Sequence, residues 1–236
     1  MKKLSIITVT YNVSKAIIPT IESVRSVKTP EVEYIIVDGG SKDDTLQIIQ
    51  NFKDVVDILI SEPDKGIYDA MNKGIGLAHG DWIIFQNCGD VILSIPFEAI
   101  KTADTGVMAI CGCTTDEKGM LQKPKFDTSL YYGNSIPHQG LFYRRSYKPH
   151  FDIRYKIFAD YDLNLKMFRE HVSVKLIDDV VAIHSLDGVS MNKKYVREVY
   201  KVLRNRCGFF RMIRLFIHWK WSGIKRRISS SNIFIL

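Results

Sequence analysis

Residues 82–90 read WIIFQNCGD. Trp82 to Phe85 are apolar, as in a buried strand, and Gln86, Asn87, Cys88, Gly89 and Asp90 are polar or small. Two readings fit the change of character. Asn, Gly and Asp are ordinary turn residues, or the strand ends at a site on the carboxyl edge of a sheet. The sequence upstream bears on the choice, because the same pattern precedes it three times.

KLSIITVTYN (Lys3–Asn12) is a β-branched apolar run that ends in Thr10, Tyr11 and Asn12. EYIIVDGGSKDDT ends its apolar run at Asp38, Gly39, Gly40 and Ser41, and VDILISEPD ends at Glu62, Pro63 and Asp64. Between the runs lie helical patterns: Ala16, Ile17, Ile21 and Val24 recur at helical spacing, followed by TLQIIQNF and then GIYDAMNKGIGLAHG. Gly80 is the expected stop of the last helix. Strand and helix alternating at this spacing predict βαβ units, that is, an α/β fold with a mainly parallel sheet flanked by helices. In such a sheet the strand ends share one edge, so four polar clusters converge there.

The 236 residues suit one large domain or a domain with an extension. No apolar run is long enough for a membrane-spanning helix. The basic-then-apolar start is read as a first strand rather than a signal peptide. Cys88, Cys111, Cys113 and Cys207 have neither zinc spacing nor a disulfide framework, which points to a reducing cytoplasm. Nine of the 33 Lys and Arg residues follow Val199 and no Asp or Glu does, so the first 198 residues carry 24 basic against 26 acidic groups. The net charge of +7 is therefore a property of the tail.

The middle of the chain is less regular. TGVMAICGCTTDEKG reads as a strand and turn, and HQGLFYRRSY as a strand with a polar start. IFADYDLNLKMFREH reads as a helix with Asp160 and Asp162 near its start, and VSVKLIDDVVAIHSLDGVS as two strands and a polar turn.

Chemically, a carboxylate at a strand end suits Mg2+ or Mn2+ with phosphate oxygens. Neither a GxGxxG nor a P-loop pattern occurs. A nucleoside diphosphate stays open as a ligand, one that Tyr11 could stack through its base, Asp38 could bind at a base N–H, and Asp90 could hold through a cation that neutralises the diphosphate. Asp69, Asn72 and Lys73 stand at i, i+3 and i+4 on one helix face, where Lys73 is placed to offset phosphate charge.

SIITVTYN, VDGGSKDDT, EPDKGIYDAMNKGI and FQNCGD, in that order, resemble the donor half of family 2 inverting glycosyltransferases, and HQGLFYRR and ADYDLNLK resemble its acceptor half. EPDKGIYDAMNKGI with His138-Gln139 and DYDL is similar to the bacterial branch that makes colanic-acid-like exopolysaccharides. The resemblance spans residues 1–190. It implies a GT-A (Rossmann-like) fold, a UDP- or GDP-sugar donor, a divalent metal, a saccharide or lipid-linked acceptor, and single displacement with inversion.

By the same resemblance, Thr10, Tyr11 and Asp38 contact the nucleotide, and Lys65, Asp69, Asn72 and Lys73 lie in the donor motif. Asn87 and Asp90 take the place of the family's Asp-x-Asp, which leaves Asp90 as the carboxylate ligand; His184 is a further candidate ligand. Asp160 matches the catalytic base, with Asp162 as its rival, and His138 matches an acceptor or phosphate contact. Without the resemblance, Asp160 reads as a carboxylate suited to a helix N-terminus, and Cys88 as a small turn residue.

The domain is expected over residues 1–198, with the nucleotide-sugar half to about 95 and the acceptor half after it. Residues 199–236 form a basic amphipathic helical extension. On a helical wheel Arg211, Arg214, His218 and Lys225 share an arc, while Phe209, Ile213, Phe216, Ile217, Ile224 and Ile228 gather opposite; Lys220 and Arg227 fall on the apolar side. That composition suits a membrane surface. Packing on the domain is the next reading, and nucleic acid is not expected, for want of a recognition motif. The protein is thus expected in the cytoplasm, peripheral on the inner face of the membrane. Two other functions compete: a sugar nucleotidyltransferase, which would carry a Gly-rich basic loop where this chain has TVTYNVSK, and a non-catalytic membrane-associated nucleotide-sugar-binding protein.

Overall fold

In the computed structural model, which describes residues 3–185, 196–214 and 216–217, the first half of the chain alternates strand and helix. The order is β1 (Leu4–Thr10), α1 (Ile17–Val27), β2 (Val32–Asp38), α2 (Thr45–Gln50), β3 (Ile58–Ser61), α3 (Ile67–Leu77) and β4 (Trp82–Phe85). The four strands are parallel and lie in the order β3-β2-β1-β4. Thr10 pairs with Asp38 and Asp38 with Ser61, so the polar strand ends do meet at one edge.

β1, β2 and β4 are buried along their whole length and mainly apolar, because both faces of the sheet are covered there. Leu4, Ile6, Tyr34, Ile36, Trp82 and Ile84 pack with Ile17, Ile21 and Val24 of α1. The alternate residues Ile7, Val9, Ile35, Val37, Ile83 and Phe85 pack against the other layer, which includes Tyr68 and Met71 of α3. Burying each such side chain contributes about 1.5–3 kcal/mol. The edge that presents the polar residues is therefore rigid.

The second half contains β5 (Val91–Ile92), α4 (Phe97–Lys101), β6 (Ala109–Asp116), β7 (Leu121–Gln122), β8 (Leu141–Arg144), α5 (Ala159–Arg169), β9 (Val174–His184) and α6 (Val196–Cys207). The sheet continues β4-β8-β6-β9-β5, with β7 beside β6. Here the pairing is mixed: β8 is antiparallel to β4 and β6, β5 is antiparallel to β9, and β9 is parallel to β6. The result is a mixed α/β sheet flanked by helices.

Two expectations are corrected. Gly80 does not end its helix, which stops at Leu77 with an extended Ala78. Gly80 instead passes against β1: its N–H donates to Ser5 Oγ at 2.9 Å, and a Cβ there would lie 2.5 Å from Ser5 N. Val174–His184 is a single strand rather than two. Its register against β6 shifts around Cys113, so the strand absorbs Asp178 and Asp179 as an irregularity instead of breaking at a turn.

The start of the tail packs on the domain. Val199, Val202 and Leu203 of α6 are buried in the same core as α5. Residues 209–214 are again helical. The predicted positions His218, Lys220, Ile224, Lys225, Arg227 and Ile228, like the polar turn 186–190, lie outside the described residues. No helix among the described residues is long and apolar enough to cross a membrane.

Candidate active site

Asp90 follows β4 at the polar edge and is 5% exposed. Its carboxylate is held from three sides. It accepts from the Asn87 N–H and the Ser185 N–H, each at 3.2 Å, and from Gln139 Nε2 at 3.2 Å to both oxygens. Burial is the dominant effect and raises the Asp90 pKa above the ordinary carboxylate value, against the lowering influence of His138 and the three donors. Two buried polar atoms nearby have no partner among the described residues: Asn87 Oδ1 and His184 Nδ1. His184 directly precedes Ser185 at the end of β9. Burial pushes the neighbouring Cys88 thiol up to about 12, which makes it a poor nucleophile.

Asp160 stands in the first turn of α5 and is 8% exposed. Tyr68 of α3 donates its hydroxyl proton to Oδ1 at 2.9 Å, and Asn134 Nδ2 donates to Oδ2 at 2.9 Å. The Ile157 carbonyl lies within hydrogen-bond reach of the same hydroxyl and shares its single proton with Asp160. Burial, and then the charge of Asp160, push the Tyr68 pKa well above its usual value, so the phenol stays a donor.

His138 joins the two carboxylates. Its Nε2 lies 4.0 Å from Asp90 Oδ2, and its Nδ1 lies 3.9 Å from Asp160 Oδ2. Asn87 Nδ2 lies 3.1 Å from Nε2, and Nδ1 is the ring nitrogen that faces Asp160. The short 3-10 turn His138–Gly140 sets the ring there, and Gln86 Nε2 fixes that turn by donating to the Gln139 carbonyl at 2.8 Å.

Asp162 is not part of this group. It is 2% exposed and takes a bidentate pair from Arg206 of α6, at 2.7 and 2.6 Å. α6 also reaches the start of α5, where Glu198 accepts from the backbone N–H groups of Lys156, Ile157 and Phe158 at 2.7, 2.8 and 3.0 Å. Those residues lead directly into Asp160. Glu198 is therefore a positioning residue supplied by the tail side of the chain. Glu198→Ala is expected to lower kcat about tenfold or more with the donor KM unchanged, because small displacements at a reacting centre are costly. Steady-state kinetics check this, and Glu198→Gln, which keeps an acceptor oxygen, should recover part of the loss.

The donor-side candidates divide. Tyr11 is 57% exposed at the edge and open to a ligand. A Cβ at Gly39 would meet Asp64 Oδ2 at 2.4 Å and the Tyr11 ring at 3.4 Å, so the first three strand ends do converge. Thr10 donates to Asp38 at 3.0 Å. Asp38 accepts from Thr10, the Gly40 and Ser41 N–H groups, and the Ser41 and Ser61 hydroxyls. A base N–H would have to displace one of them. Burial raises the Asp38 pKa, but the hydroxyl and amide donors outweigh it and hold the carboxyl below its ordinary value.

In the donor motif, Asp69 accepts from the Lys65 N–H at 3.0 Å, and the Lys65 side chain is exposed. Asn72 forms two hydrogen bonds with the Phe151 backbone, at 2.8 and 2.9 Å. Lys73 is tied to Glu62 at 2.8 Å and to the Pro63 carbonyl at 2.9 Å. Asn72 and Lys73 thus brace the scaffold, and neither meets Asp90.

The sequence model described as Glycosyl transferase family 2 matches residues 5–221. The chain belongs to glycosyltransferase family 2. It is 30% identical over 231 residues to a PGL/p-HBAD biosynthesis glycosyltransferase of Mycobacterium bovis, covering 91% of this chain and 90% of the relative. Among solved structures, S. aureus TarS 1–349 in complex with UDP-GlcNAc is similar with a TM-score of 0.66 at 20% identity, over 86% of this chain and 64% of that one. The mannosyltransferase PcManGT from Pyrobaculum calidifontis, in complex with GDP-Man and Mn2+, gives 0.59 at 16% identity, over 86% of this chain and 61% of that one. The family 2 chain thus spans less than two thirds of these solved chains, and it shares with them a GT-A-like fold.

Three further residues support Asp160 or the turn before it: Tyr68, Asn134 and Glu198. Tyr68 lies within IYDAMNKG, the motif that also carries Asp69, Asn72 and Lys73. Asn134 lies in an irregular segment with no pattern of its own. Glu198 closes the expected domain and lies in no motif. A tyrosine inside an otherwise charged motif was the one available signal.

Proposed function

We propose that this family 2 chain is an inverting, metal-dependent glycosyltransferase. It takes a UDP- or GDP-sugar and extends a saccharide acceptor, lipid-linked, in surface exopolysaccharide synthesis at the inner face of the cytoplasmic membrane. The observation that carries the reading is His138 lying between Asp90 and Asp160, with 4.0 and 3.9 Å to the two carboxylates. One carboxylate lies at the nucleotide edge and the other heads the acceptor-half helix. The UDP-GlcNAc complex of TarS and the GDP-Man and Mn2+ complex of PcManGT support a nucleotide-sugar donor.

Asp160 takes the proton of the acceptor hydroxyl as that oxygen attacks the anomeric carbon from the side opposite the diphosphate. Tyr68 and Asn134 each hold one of its oxygens, so the carboxylate keeps a fixed aim. Tyr11 offers its exposed ring to the base. The residues near Asp90 would suit Mn2+ or Mg2+: one carboxylate and Asn87 Oδ1, which has no partner among the described residues, with the His184 imidazole nitrogen as a further candidate ligand at the end of β9. Held there, Mn2+ or Mg2+ supplies positive charge against the departing diphosphate. Among the described residues no three His, Cys, Asp or Glu side chains form a metal cluster, so nucleotide phosphates would complete the coordination.

A panel of UDP- and GDP-sugars, scored for nucleotide release with Mn2+ and with Mg2+, tests the reading. Cation-dependent release from donors of one base class is expected. No release from any donor with either cation would overturn it and leave the non-catalytic binding protein.

A further inference from the structure

A second concave site lies in the acceptor half, away from His138. Its volume is about 460 Å3, and Tyr131, Tyr132, Arg169, His171, Arg211 and Arg214 line it, with no carboxylate among the lining residues. The Arg211 guanidinium stacks 4.0 Å from the centre of the Tyr131 ring. Arg214 has no hydrogen-bond or ion-pair partner among the described residues. On the same helical stretch, Phe209 is 56% and Phe210 82% exposed, and Ile217 is 49% exposed.

Charge and exposed apolar area narrow the ligand. A soluble anion would account for the arginines but not for phenylalanines turned to solvent. An apolar protein surface would account for the phenylalanines but not for a pocket lined with cations. A lipid phosphate above acyl chains meets both requirements. We infer that this pocket binds the phosphate headgroup of an anionic membrane lipid, with Phe209, Phe210 and Ile217 seated among the acyl chains. The inference rests on the proposed membrane location and names the residues that make the contact.

The pocket is tied to the catalytic centre through α5. Arg169 ends that helix and Asp160 begins it, about 14 Å apart at 1.5 Å per residue. The segment 128–134 connects them again: Tyr131 lines the pocket, Tyr161 donates to the Leu130 carbonyl, and Asn134 holds Asp160. Lipid bound here would set the height of the base above the membrane that carries the acceptor.

Flotation of the full chain with vesicles tests this, comparing phosphatidylcholine alone with phosphatidylcholine plus phosphatidylglycerol. Wild type is expected to float with the mixed vesicles and to be released as salt rises. Each basic residue near an anionic surface is worth a factor of about five, so R214Q should weaken partitioning about fivefold and R211Q/R214Q about thirtyfold. Arg214 has no hydrogen-bond or ion-pair partner to lose among the described residues, so R214Q separates lipid binding from folding. F209S/F210S should weaken binding to both kinds of vesicle. Wild-type flotation of R214Q and R211Q/R214Q on mixed vesicles would overturn the pocket while leaving the membrane location standing. Failure of the wild type to float with either vesicle would overturn both.

Discussion

Asp160→Asn is expected to lower kcat for sugar transfer about a thousandfold, the middle of the range for removing a general base. The donor KM is expected to stay within about threefold, since Asp160 is proposed to act on the acceptor hydroxyl rather than on the nucleotide. Asparagine keeps the size of the side chain and can still accept from Tyr68 or Asn134, so the loss reports the proton acceptor rather than a collapsed helix. The neighbouring carboxylate gives the contrast. Asp162 is bound by Arg206 at 2.7 and 2.6 Å, and removing its charge strands a half-buried guanidinium. Asp162→Asn should therefore show its effect in thermal stability first. Steady-state kinetics and thermal melting on the two variants side by side separate base from brace.

Asp90→Ala is expected to reduce cation-dependent nucleotide release at least a hundredfold, because on the proposed reading a cation at Asp90 would act on the leaving group. A second readout needs no turnover. Burial raises the Asp90 pKa, so the ionised form destabilises the fold, and that cost sets in as pH rises through the raised value. A cation bound to the carboxylate offsets it. Mn2+ should therefore raise the wild-type melting temperature at neutral pH and leave Asp90→Ala unchanged. Apparent Mn2+ affinity should fall as pH drops through the raised pKa, since protons then compete for the same oxygens. A melting temperature that responds equally to Mn2+ in both proteins would separate the cation from Asp90.

Much of this was legible in the chain because period and polarity change together. In β1, β2 and β4 a continuous apolar run stops at residues such as Asp38 or Asn87, and a parallel sheet gives those stops a shared edge. The second half was harder to read. β6, β8 and β9 pair in mixed directions, and the shift near Cys113 lets β9 run through Asp178 and Asp179, which look like a turn. Helical spacing showed that Asn72 and Lys73 share a face, but not that Phe151, Glu62 and Pro63 already occupy them. Likewise, sequence marked His138 as part of a motif, while its place between residues 90 and 160 exists only in the fold. Glu198 is the plainest case: its three acceptor contacts lie about forty residues away, beyond any local pattern.

The central claim is that Asp90, His138 and Asp160 form one centre that moves a sugar from a nucleotide to an acceptor hydroxyl. Acceptor-stimulated release of UDP or GDP, measured for wild type and Asp160→Asn with the same donor and Mn2+, tests it most directly. Stimulation by acceptor in the wild type and its loss in the variant is the predicted result. Equal stimulation in both proteins would contradict the claim.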